Sequence, residues 1–251
     1  MVTETPTLTG ELVARPTLRD RATRHWRAWL AMAVRYGLLT VFGLAFVVPF
    51  LWMFLAAFKP QAEIFQYVYP LSWKTFIPQE WTLENFARLL ALDPYPFTRY
   101  LGNSLFVAVA VTAGSLVVNS MAAYAYARLD FPFRNLLFVL SLATVIVPFE
   151  AFAIPLYLEM RTFDWVNSYK ALIIPWIANG AGIFLLRQFF LDIPRDLIEA
   201  ARIDGCSHIG AFARIVLPNS VPALITFALI RFQASWDSFF WPLIVAPSPE
   251  K

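Results

Sequence analysis

Residues 191–219 read LDIPRDLIEAARIDGCSHIGAFARIVLPN. A connection between two apolar helices needs only a few polar residues, yet this stretch carries the punctuation of a folded unit. Pro194 suits a first helical turn, with Asp192 and Asp196 near the positive end of the helix. Leu197, Ala200, Ala201 and Asp204 follow at helical spacing. Gly205 can take the left-handed conformation that ends a helix, and Ser207 can cap a second one. Ile209, Phe212, Ile215 and Val216 lie along that second helix, and Pro218 enforces a stop. The stretch reads as two short helices joined by a glycine turn.

Its neighbours say where such a unit would sit. Ala171–Phe190 precedes it and about Ser220–Ala246 follows it, both apolar. Tyr36–Phe58, Asn103–Ala127 and Leu136–Leu158 are of the same kind. Roughly 20 apolar residues cross about 30 Å of hydrocarbon at about 1.5 Å each, so the chain reads as an all-α, polytopic membrane helix bundle with five spans. Composition agrees: 59% of the 251 residues are hydrophobic and 15% charged, where soluble domains sit near 45–50% and about 25%. That balance excludes a disordered chain and argues against a soluble enzyme. Residues 36–251 form the transmembrane domain, preceded by a basic tail, 1–35. The tail is no signal peptide, because the apolar run after it is too long. An amphipathic stretch around Arg24–Arg35 on the membrane surface and a disordered tail both remain open.

Charge orients the bundle. Arg15, Arg19, Arg21, Arg24, Arg27 and Arg35 place the N-terminus in the cytosol by the positive-inside rule. Alternation then puts Lys59–Gly102 outside, Arg128–Asn135 inside and Glu159–Lys170 outside. Leu191–Asn219, with Arg195, Arg202 and Arg214, returns to the cytosol. In the plain reading that segment is an interfacial link with an ordinary Glu199–Arg202 surface pair. In the sharper one, Ala200, Ala201 and Gly205 leave a face without bulk beside a single directional anion, Glu199, on which a partner can dock. A rigid piece joined to two spans would serve a cytosolic motor as a lever.

Here the residues resemble a known family. Glu199-Ala200-Ala201, Gly205 and Ile215-x-Leu217-Pro218 are similar to the coupling segment of ATP-binding-cassette (ABC) importer permeases. IPLY (154–157), FLLRQFF (184–190), PNSVPAL (218–224) and SWDSFFWPL (235–243) extend the likeness to the maltose-type sugar permeases, from about Val41 to the end. The resemblance implies a bacterial or archaeal cytoplasmic (inner) membrane protein. Its partners would be a second homologous permease subunit, two cytosolic ABC ATPase subunits, an external substrate-binding protein and membrane lipid. Glu199, Ala200, Ala201, Asp204 and Gly205 would dock in an ATPase groove, and Leu217 and Pro218 would set the angle back into the membrane. The substrate expected is a sugar or oligosaccharide, with glycerol-phosphate or another small polar solute as the alternative. Cys206 stands where the family commonly has alanine, a small change. The family normally has a sixth span, and this chain stops at Lys251, so a truncated chain is expected, with 248–251 opening the missing external loop.

Other classes fare worse. A lone cysteine and two distant histidines, His25 and His208, make no metal set, and a net charge of +3 does not point to nucleic acid. No phosphate loop occurs, so the chain should hold no cofactor, with ATP and Mg bound by the partner ATPase. No acid/base pair or nucleophile elbow suggests an enzyme. An ion-driven secondary transporter would use Glu150, Arg231 and Asp237 as relays, but no internal repeat supports it. Ionisable residues inside a membrane are costly, so Glu150, Arg231 and Asp237, with the neighbouring aromatics Trp236 and Phe240, are candidates for the substrate path. Those aromatics can equally pack on helices or form an interfacial belt, and Arg187 is expected to snorkel to the headgroups. Pro148, Pro155, Pro175 and Pro222 are expected to kink or break spans, as hinges or as static bends.

Overall fold

A computed structural model describes residues 18–67, 69, 72–91 and 97–247. Every regular element among them is helical, as expected of an all-α membrane bundle. The chain divides into two compact units, Met1–Leu89 and Leu90–Lys251.

The first unit begins with α1 (Leu18–Ala56), whose apolar part, Trp29–Ala56, runs 28 residues and contains an 18-residue window of mean hydropathy 2.4. At about 1.5 Å per residue that exceeds a hydrocarbon core of about 30 Å. Residues 24–35 run into the span in one helix, so they form neither a separate surface helix nor a disordered tail. Residues 1–17, with Arg15, lie outside the described part, as do 248–251.

After α1 the chain ties a polar knot from α2 (Gln61–Gln66), a 3-10 turn (Trp73–Thr75) and α3 (Glu84–Leu90). Lys59 is 1% exposed, and its Nζ donates to the carbonyls of Lys74 at 2.8 Å and Thr75 at 3.0 Å. Glu63, 3.8 Å from that ammonium, accepts from the backbone N–H of Gln79 at 2.8 Å. Asn85 Nδ2 donates to the carbonyls of Ala57 and Lys59. A buried charge pair is tolerable when its remaining hydrogen-bonding capacity is also used. That condition is met here, so an apparent loop is an ordered cap.

The second unit is built on α4 (Phe97–Arg128), the other helix long and apolar enough to cross a bilayer alone. Both α8 (Gly180–Asp192) and α12 (Val221–Trp236) pack along it. Gly182 lets α8 approach α12, since a Cβ there would lie 2.2 Å from the Phe227 ring.

The other expected spans are divided. Run 136–158 is split between α5 (Arg134–Ala143) and α6 (Phe149–Thr162), because Pro148 cannot continue a helix and instead caps α6. Run 171–190 consists of α7 (Tyr169–Ile173), a 3-10 turn (Ile174–Trp176) and α8, bent by 43°. Run 220–246 divides into α12 and α13 (Phe240–Val245), where Ser235, Asp237 and Ser238 weaken the helix. By length and composition the described residues hold two crossing helices, or up to four when each bent pair counts as one. Of the four prolines singled out, only Pro155 lies in the interior of a helix, past its first turn. Pro222 sits in the first turn of α12, where its missing N–H costs nothing.

Candidate functional site

Residues 191–219 fold as a helix, a glycine turn and a second helix. The first, α9 (Arg195–Ile203), is preceded by Pro194, which occupies the cap and stands one place before the first turn. Gly205 has φ +83°, and the N–H groups of Gly205 and Cys206 return to the carbonyls of Arg202 and Ala201. This is the glycine-terminated helix ending that satisfies orphan carbonyls. Ser207 Oγ accepts from Gly210 N at 3.1 Å and so caps α10 (His208–Ala211). A π-helical turn (Phe212–Val216) then leads into α11 (Leu217–Asn219), and an 82° bend turns the chain into α12.

One face of this unit is anchored. Ile198, Ala211 and Val216 are buried among Ala123, Leu186 and Phe190. Arg128, at the end of α4, donates to the carbonyls of Phe190 and Ile193 and so ties the entry of the segment to that helix. The opposite face is open: Glu199, Ala200, Asp204, Gly205 and Pro218 are exposed, while Ala201 and Leu217 are half-buried. Ile203 and Ile209 are 87% and 76% exposed, unusual for isoleucine. Among the described residues Glu199 makes no ion pair, with Arg202 or with any other base. The ordinary surface pair is therefore not formed, and the carboxylate is free.

A second polar site lies inside the unit, at the break before α8. Asn119, fully buried on α4, donates to the carbonyls of Ser115 at 2.7 Å and Ile177 at 2.9 Å. Its Oδ1 accepts from Asn179 N at 2.8 Å. Asn179 in turn caps α8 by accepting from Gly182 N. Ser115 Oγ donates to the Trp176 carbonyl at 3.3 Å. Arg231 Nε donates to Ser115 Oγ at 3.2 Å, and its Nη2 donates to that same Trp176 carbonyl. Broken helix in a membrane is tolerated only where its freed backbone groups find partners. Ser115, Asn119 and Arg231 are those partners.

Arg231 thus has hydrogen-bond partners within the chain, both of them neutral. The other substrate-path candidates are not gathered with it. Glu150 is exposed in the first turn of α6, and Asp237 is exposed at the end of α12. Trp236 stacks on Phe232 with ring centres 5.8 Å apart, and Phe240 meets Phe149 edge-on. Trp241, by contrast, is 2% exposed and donates from Nε1 to the Ala171 carbonyl. Arg187 turns inward rather than out to headgroups, with its guanidinium 4.3 Å from the Phe138 ring centre and Nε donating to the Tyr126 carbonyl.

A cavity of about 790 Å3 opens beside the break, lined by Ser141, Thr144, Phe149, Phe152, Trp176 and Asn179, among others. Its size and its mixture of aromatic faces with a few polar groups are those of a small-molecule site. Glu150, Asp237 and Phe240 do not line it. The sequence reading missed Ser115, Asn119 and Asn179. The one available signal was the polar pair Ser115 and Asn119, four apart on a largely apolar helix.

Residues 120–250 match the family described as "Binding-protein-dependent transport system inner membrane component". The arabinooligosaccharides transport system permease protein of Halalkalibacterium halodurans is 37% identical over 216 residues, 84% of this chain and 76% of that protein. The chain belongs to this transport family. It is a permease subunit of an ABC importer, a transport component of the inner membrane rather than an enzyme, and it works with other subunits. The permease is also similar to the sn-glycerol-3-phosphate transport system permease protein of Escherichia coli, at 33% identity over 87% of this chain and 77% of that protein. A crystal structure of a bacterial ABC transporter that imports alginate has the same fold, with a TM-score of 0.79 and 24% identity over 94% of the permease and 78% of that chain.

Proposed function

We propose that the permease moves a sugar or oligosaccharide through the cavity beside the α7–α8 break and takes its power stroke through Glu199–Pro218. The observation that carries the coupling role is the two-sided segment: an inner face locked to α4 and α8, and an outer face of small residues with a free carboxylate. A force applied to that outer face would pass into helices on which the cavity is built. Glu199, Ala200, Ala201, Asp204 and Gly205 receive the motor, and Leu217 and Pro218 fix the exit angle. The motor is a pair of cytosolic ATPases that hold ATP and Mg, this chain holding neither. A second homologous permease completes the path, an external binding protein delivers the solute, and the N-terminus is cytosolic.

Aromatic rings bordered by Ser141, Thr144 and Asn179 suit a polyhydroxylated solute, and several relatives are named for carbohydrate transport. The alternative solute, a glycerol-phosphate, rests on the similarity to the Escherichia coli protein. An ion-driven transporter is disfavoured because Arg231 is already engaged and Glu150 and Asp237 stand apart from it. The test is uptake of labelled candidate solutes by the full complex carrying Glu199→Arg, Ala201→Trp and Gly205→Trp together. Normal insertion with loss of uptake and of substrate-stimulated ATP hydrolysis is expected. Full uptake would end the coupling role, and stimulation by glycerol-phosphate alone would end the sugar reading.

A further inference from the structure

A small polar cavity of about 170 Å3 lies where the end of α4, the turn after it and α9 meet. Arg128, Arg134, Arg195 and Arg202 line it, with Asp130 and Glu199 as its acids. Arg134 and Asp130 neutralise one another at 2.7 Å. Among the described residues Arg128 is bonded only to neutral carbonyls, which leaves its charge uncancelled. Arg195 and Arg202 make no hydrogen bond or ion pair among the described residues, and Arg195 repels Arg128 across the gap. The sole remaining acid on the wall is the exposed Glu199, so positive charge is in excess.

An independent observation concerns Tyr124, which lines the same cavity. Its side chain is 5% exposed, and its hydroxyl has no hydrogen-bond partner among the described residues. Arg128 and Arg202 are the cationic groups that act on that hydroxyl. Buried donors are almost always paired, and an orphan calls for an explanation. Guanidinium groups that face no acid of their own around a buried hydroxyl are a donor set awaiting an acceptor-rich anion.

We propose that this cavity binds a phosphate group, which bridges Arg128 on α4 to Arg195 and Arg202 on α9 and accepts from Tyr124. About 170 Å3 leaves room for one phosphate group. The apolar run of α4 ends at Arg128, which puts the cavity at the depth of lipid headgroups. The same chemistry is therefore available from an anionic phospholipid or from free phosphate. A bound phosphate would clamp α9 to the end of α4. Any effect on uptake rests on the coupling role proposed above, whereas binding does not.

The test uses the permease purified with its partner subunits. In detergent, inorganic phosphate should raise the melting temperature. R195Q/R202Q should weaken that response at least tenfold. Tyr124→Phe, which keeps its packing on Phe212, should weaken it a few-fold, and Arg214→Gln, on the same segment but outside the cavity, should leave it unchanged. In bilayer discs of phosphatidylcholine and phosphatidylglycerol, native mass spectrometry should retain phosphatidylglycerol on the wild-type chain and lose it on R195Q/R202Q if a headgroup is the source. A phosphate response without such retention assigns free phosphate. Absence of both, or equal weakening by Arg214→Gln, would overturn the site. Because these readouts involve no transport, they fail or succeed separately from the coupling role.

Discussion

Glu199 and Arg231 are both charged residues beside apolar helices, and the structure treats them in opposite ways. Arg231 is half-buried and holds Ser115 and the Trp176 carbonyl. Glu199 is exposed on an anchored helix and pairs with no base among the described residues. A charge that repairs a broken backbone belongs to the chain's own stability. One displayed on a rigid face without a partner fits the docking role proposed for it. The difference separates the inner staple, which should govern folding, from the outer lever, which should govern transport.

The largest expected effect falls on the inner region. Gly182→Leu would drive a side chain into the Phe227 ring, which even a Cβ would approach to 2.2 Å. Little folded permease should be recovered from membranes, and partial rescue by Phe227→Ala would show that the clash is the cause. Next, Asn119→Ala strips partners from the Ile177 carbonyl and the Asn179 N–H, at about 1–3 kcal/mol for each orphaned group. A melting temperature lowered by several degrees in purified complex is the expected reading, and an unchanged one would dissolve the staple.

The outer region should respond in the reverse manner. Glu199→Arg should leave the melting temperature of the permease within error while lowering uptake at least tenfold. Equal losses of stability and uptake would erase the contrast between the regions. The smallest effect is expected from Ser207→Ala, which removes the cap on Gly210 N at a cost of about 1 kcal/mol. That cost should show as a slight loosening of α10 in hydrogen exchange with uptake nearly intact.

How much of this could be read from the chain depended on the range of the interactions. Pro194, Gly205, Ser207 and Pro218 act on backbone within a few residues, so the helix, turn and helix of 191–219 were legible with an error of one position at Pro194. Apolar runs were equally plain, but a run records composition and not unbroken hydrogen bonding. Hydropathy alone did not show that runs 136–158 and 171–190 are interrupted; Pro148 and Pro175 were the local sign of it. Lys59 and Glu63 looked like loop charges because their partners, from Lys74 to Glu80, lie 15 or more residues on.

The sequence by itself determined that the chain is a helical membrane protein, and it determined the form of the segment between α8 and α12. Those properties follow from hydropathy, caps and turns, which each residue carries locally. Only the tertiary structure decided that Arg231 is a staple and Glu199 is free, and that a buried Asn119 closes the break before α8. Ser115, Trp176 and Arg231 lie 55 to 116 residues apart, and only packing α8 and α12 against α4 brings their polar atoms within hydrogen-bond reach. In an apolar surrounding, that proximity separates a satisfied group from a costly one.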